Sequence, residues 1–150
     1  MYIRPKLKDI TNLVRPPIKF NPPYGPDKNF SKKSNSVFVF GSNLAGVHGG
    51  GAAAVAYKKY GAIWGCGFGL QGNSYALPTK DWLLKTLRYT EVAYWVDRFH
   101  DWALSSPAYS EIFVTKVGCG LAGYTEKQIA PLFTRYYWPS NVTLPEGWYK

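Results

Sequence analysis

Residues 37–40 read Val-Phe-Val-Phe, an unbroken apolar run between a serine and a glycine. Such a run predicts a short strand buried on both faces. Ala52 to Lys59 follows as a helix, with small apolar residues first and two lysines at its end, where cations suit the helix dipole. Residues 61–82 predict a short strand, a glycine-rich loop and a second strand ending at Pro78. Between Thr90 and Ser105, apolar side chains recur at Val92, Trp95, Val96, Phe99, Trp102 and Ala103. That spacing predicts a helix with one buried face, opened by Thr90 and Glu91. His100 lies beside the stripe and reads as a surface residue. Residues 112–117 are β-branched and aromatic, as a strand requires. Thr125 and Gln128 have capping-box spacing and predict a helix start, with Pro131 disturbing its first turns. Residues 141–148 add a last short strand. Strands alternating with helices predict an α/β fold with a mixed, largely parallel sheet.

The leading segment has a different pattern. Residues 1–36 hold six of the eleven prolines and cannot form a helix or a central strand. They predict an extended N-terminal arm anchored by Ile18, Phe20, Tyr24 and Phe30, followed by an α/β domain over residues 37–150. The arm also carries much of the charge. It has eight Lys/Arg against two Asp, net +6, whereas residues 37–150 carry ten against seven, net +3. A basic arm can bind nucleic acid, yet no nucleic-acid-binding motif accompanies it. At 150 residues and 46% hydrophobic, the chain suits one core and is too apolar for disorder. No apolar run approaches the ~20 residues of a membrane helix. The first residues lack the apolar centre of a signal peptide, so a cytoplasmic protein is expected.

Two cysteines, Cys66 and Cys119, make no disulfide framework. They read as buried free thiols, with a nucleophilic Cys119 as the alternative. Two histidines and no metal-ligand motif argue against a metal, and no cofactor is expected. Thirteen of the fifteen glycines lie in residues 41–72 and 118–123, so backbone or ligand should approach two loops closely. Both windows contain a GxGxxG. The one at Gly67–Gly72 is not followed by a helix. The one at Gly118–Gly123 lies between a strand and a helix but only 27 residues from the end, too late for a Rossmann unit. It is kept as a phosphate-binding loop, against the plainer reading of a tight turn.

Several motifs then fall into one order: "VFVFGSN", "GVHGGGAA", "GNSYALPTK" and "VTKVGCGLAGY" ahead of a helix. Together they resemble a macrodomain, the three-layer α/β/α module that binds ADP-ribose, and in particular small macro-like proteins of phages and bacteria. The resemblance spans residues 37–148. It implies an ADP-ribose-type ligand between two glycine loops. Gly41, Ser42 and Asn43 would stand where the family's Asn loop stands, with Asn43 on the distal ribose. Gly49, Gly50 and Gly51 would lie near that ribose and the phosphates. Gly118, Cys119, Gly120, Leu121, Ala122, Gly123 and Tyr124 would wrap the diphosphate. Asp9, in "KDIT", matches the family's adenine-contacting Asp, and Tyr124 or Phe68 could stack on a ring. The family's hydrolytic Asp is missing. His48 stands nearby, so Asn43 and His48 form the candidate catalytic pair, unless His48 only shapes its loop.

Three functions remain open on the sequence. One is an ADP-ribosyl hydrolase. Another is a module that sequesters an ADP-ribose-like signal, in a host cytoplasm if the source is a phage. The third is a nucleic-acid or protein-interaction protein using the arm.

Overall fold

The computed structural model describes residues 25–28, 30–32 and 34–148. Asp9 and most of the basic arm lie outside them. The described part of the arm is tied to the domain at several places, among them a hydrogen bond of 2.9 Å from Ser110 N to the Asn35 carbonyl. Gly25 and Trp64 exchange backbone hydrogen bonds of 3.0 and 2.8 Å. The Phe30 ring lies so close over Gly61 that a Cβ there would meet it at 2.4 Å. The Asn73 amide donates to the carbonyls of Ser34 and Ser36 at 2.8 and 3.0 Å.

The element order is β1 (Ser36–Asn43), α1 (Gly51–Lys59), β2 (Gly69–Gln71), β3 (Ser74–Lys80), α2 (Tyr89–Leu104), β4 (Glu111–Val114), α3 (Glu126–Thr134) and β5 (Val142–Thr143). The five strands form one sheet in the order β2-β3-β1-β4-β5. β1 runs parallel to both β3 and β4, and β4 parallel to β5; only β2 is antiparallel. The protein is therefore α/β with a mixed, mostly parallel sheet.

Alternation along β1 sorts the helices onto two faces. Val37 and Val39, with Tyr75, Leu77, Ile112 and Val114, join the apolar stripes of α2 and α3 in one buried cluster. Phe40, Ala53, Ala56, Ala62 and Ala76 form a second, on the α1 side. The alanines let α1 lie close to the sheet. The helices and β1, β3, β4 and β5 match the sequence expectations with shifted boundaries. The short strand expected ahead of the glycine-rich loop is only a bridge at Trp64, and β2 forms inside that loop at Gly69–Gln71, where it pairs antiparallel with β3. β1 extends to Asn43. β3 runs two residues past Pro78, which is tolerated because β2 pairs β3 only as far as Ala76 and so asks no hydrogen bond of Pro78. β4 stops at Val114, before a turn at Val117–Gly118. α3 has the expected capping box, with Gln128 N donating to Thr125 Oγ1 at 3.2 Å and Thr125 N to Gln128 Oε1 at 2.9 Å. It continues through Pro131 to Thr134. His100 is half-buried, stacked on Tyr136 and bonded to the Tyr137 carbonyl at 2.8 Å. Among the described residues no helix is long and apolar enough to cross a membrane.

Candidate functional site

The topology makes a crevice at one place. The chain leaves β1 for α1 on one face of the sheet, whereas β3 and β4 lead to α2 and α3 on the other. Loops from adjacent parallel strands thus diverge at the carboxyl end of β1, where α/β sheets hold their ligands. A cleft of about 1020 Å³ lies there. One wall is residues 41–43, 47 and 49–53. The other is residues 115–122 and 124–126. Thr79, Lys80 and Leu84 close the side beyond β3. The two glycine loops, some seventy residues apart, share this cleft.

The glycines divide into two kinds by what surrounds them. Those of the middle segment are packed backbone to backbone. A Cβ on Gly46 would lie 2.3 Å from Cys66 N, and one on Gly67 would lie 2.5 Å from the Asn43 and Leu44 carbonyl oxygens. These glycines bind the 43–47 turn to the 63–67 turn. Those of the cleft face open space or mobile side-chain ends. Gly120 has nothing within 4 Å of a built Cβ, and Gly49 has only ordinary contacts. Gly41 belongs to the floor, where a Cβ would come within 3.3 Å of Gly118 N.

The cleft walls present donors without acceptors. In the second loop, Cys119 N, Gly123 N and Tyr124 N bond to the carbonyls of Lys116, Gly120 and Gly118 at 3.2, 3.0 and 2.9 Å. The N–H groups of Gly120, Leu121 and Ala122 find no acceptor among the described residues. Opposite them, α1 begins at Gly51 with Gly50 as a cap that has no side-chain hydrogen bond, and its first turn holds no acidic residue. Helix starts leave their first N–H groups unpaired and carry a partial positive charge. Lys80 and Lys116 add two cations to the lining and Glu126 one carboxylate. The balance favours an anion. Leu121 spans the mouth, 75% exposed, with its Cδ1 3.3 Å from where a Gly50 Cβ would be.

Other expected site residues take different roles. The Asn43 amide faces its own turn: Nδ2 donates to the Val47 carbonyl and Oδ1 accepts from Val47 N, both at 2.9 Å. Nδ2–H and Oδ1 each keep capacity for one further partner. The Ser42 hydroxyl is buried and donates to the Gly67 carbonyl, so it serves the fold rather than the cleft.

His48 is absent from the lining. Its ring is 1% exposed, set edge-on to Phe40, with Nε2 2.9 Å from the Ile63 carbonyl and 3.1 Å from that of Cys66. Two carbonyls require a donor, so Nε2 carries the proton. Nδ1 is buried without a partner and the ring is neutral. Burial holds its pKa below the ordinary imidazole value. Gln71 completes this network by accepting from Ile63 N at 2.7 Å and donating to the Cys66 carbonyl at 3.3 Å. The pair expected from the sequence is thus not brought together in the cleft.

Cys119 does line the cleft, but burial and then the Glu126 carboxylate push its thiol up, which disfavours the nucleophilic thiolate. Tyr124 lines it too, its hydroxyl bonded to the Leu87 carbonyl at 2.6 Å. Phe68 lies elsewhere, packed on Trp95 at 5.1 Å beside a smaller groove of about 370 Å³. Among the described residues no three His, Cys, Asp or Glu side chains cluster to hold a metal.

The sequence reading missed Thr79, Lys80, Thr115, Lys116 and Glu126. Their signal was position. Thr79 and Lys80 follow the predicted strand end at Pro78. Thr115 and Lys116 lie in the last residues of the strand predicted over residues 112–117, beyond the observed end of β4 at Val114, and Glu126 opens the helix behind the second glycine loop. Comparison with protein-family models, curated proteins and solved structures gives no match for this chain.

Proposed function

We propose that the cleft binds ADP-ribose or a related nucleotide, with the diphosphate on the backbone amides of residues 120–122 and on the first turn of α1. The observation that carries this reading is the convergence of two amide-bearing glycine loops on one cleft large enough for a dinucleotide-sized ligand. Lys80 would neutralise the phosphates, while Lys116 is paired with Glu126, and the free capacity of Asn43 would serve a ribose hydroxyl. The burial of His48 favours binding without turnover, because no imidazole reaches the lining to act as a base. The protein then sequesters its ligand rather than hydrolysing an ADP-ribosyl bond.

Calorimetry with ADP-ribose, paired with product analysis on ADP-ribosylated substrates, tests both statements. Saturable binding at a micromolar Kd with no released product is the expected result. Binding with turnover would restore the hydrolase reading, and no heat with ADP-ribose would remove the nucleotide reading altogether.

A further inference from the structure

An anion-binding cleft has little use for a carboxylate, yet Glu126 is the one acidic side chain among its described lining residues. It is the first residue of α3, where a negative charge suits the helix dipole. That would explain any acidic residue. It does not explain how firmly this one is held. Trp148 Nε1 donates to Oε1 at 3.0 Å, and Lys116 Nζ pairs with Oε2 at 3.3 Å. The two partners come from the C-terminal segment and from the loop after β4, so they fix the carboxylate from two directions. The Trp148 bond and then Lys116 hold its pKa below the usual carboxylate range, so it is ionised at neutral pH.

A carboxylate offers about four acceptor positions. Trp148 and Lys116 take one on each oxygen. One remains on each, and the side chain is 47% exposed. The Lys116 pairing also offsets the charge that would otherwise repel a neighbouring phosphate. What remains is a fixed, two-oxygen acceptor beside the amide-lined loop. Its natural complement is a pair of adjacent donors. A ribose diol supplies these, and acidic side chains near the strand ends of parallel sheets read ribose hydroxyls in this way.

We propose that Glu126, positioned by Lys116 and Trp148, recognises the vicinal hydroxyls of the nucleoside ribose and makes the cleft selective for ribonucleotides. This rests on the nucleotide reading above. It assigns Glu126 a binding role on the wall opposite Asn43, with no part in bond breaking.

The test compares ADP with 2′-deoxy-ADP and inorganic pyrophosphate by calorimetry, on wild-type protein and on Glu126→Gln. ADP-ribose binding and the melting temperature are measured alongside. Wild-type protein should prefer ADP over 2′-deoxy-ADP by about tenfold, as expected for a charge-assisted hydrogen bond. Glu126→Gln should bring that ratio near one while pyrophosphate binds as well as or better than before. A glutamate that only capped α3 would lower the melting temperature and weaken all three ligands together, leaving the ratio intact. An unchanged ratio in Glu126→Gln, or no preference in the wild type, overturns the proposal while ADP-ribose binding stands. Wild-type protein that binds neither ADP-ribose nor ADP overturns the nucleotide reading and this one with it.

Discussion

At the residue scale, the glycines separate structural from functional need. Gly46 has φ +71° and no room for a Cβ. Gly46→Ala should therefore cost about 3 kcal/mol or more, from backbone strain and displacement of the 63–67 turn. Gly120 has open space and no positive φ, so Gly120→Ala should change stability by no more than about 0.5 kcal/mol while lowering nucleotide affinity. Chemical denaturation and calorimetry on the two variants check this, and equal stability losses would refute the division. His48 offers a second residue-scale prediction. Its folded pKa lies below the unfolded value of 6.5, so the unfolded chain takes up the proton first. The neutral ring's contribution is complete above about pH 6.5 and is lost as pH falls from there through the lowered folded value. His48→Gln should remove that part of the acid sensitivity, seen as a flatter melting temperature against pH below neutrality. A wild-type profile that the substitution leaves unaltered would contradict a buried neutral imidazole.

At the element scale, α3 is the support of the second loop. Ile129 is fully buried beneath Gly118, with its Cδ1 3.3 Å from where a Cβ there would sit. Gly118 itself has φ +76°, which lets the chain turn back over the helix. Ile129→Ala should cost about 2–5 kcal/mol from lost burial and the cavity left behind. It should also weaken nucleotide binding, because the amides of residues 120–122 lose their base. Faster hydrogen exchange confined to residues 118–124 is the expected signature, and exchange raised evenly across the sheet would show that Ile129 supports the core alone. The capping box at Thr125 and Gln128 was readable from spacing. The persistence of the helix past Pro131 was not. The buried side chains Leu132 and Phe133 hold those last residues in the core, with Phe133 packed on Phe99, Trp138 and Trp148, and packing of that kind outweighs local propensity.

For the whole molecule, the apolar runs, the amphipathic stripe of residues 92–103 and the capping box determined the helices, the parallel strands and the α/β class. They could do so because hydrophobic period and cap chemistry are local properties of the chain. β2 at Gly69–Gln71, set in a glycine-rich loop, was not legible in them. The same patterns pointed to the two glycine loops. They could not say that residues 41–51 and 115–126 meet. That follows from β4 pairing with β1 across more than seventy residues, and from helices leaving their ends on opposite faces. Nor could adjacency in sequence show that His48, three residues from the cleft glycine Gly51, turns inward to two carbonyls. The lysines and Glu126 of the lining were ordinary surface charges until the sheet gathered three strand ends at one crevice. Sequence thus determined which backbone could approach an anion, and tertiary structure decided which side chains stand around it, because those positions depend on pairings that no local pattern encodes.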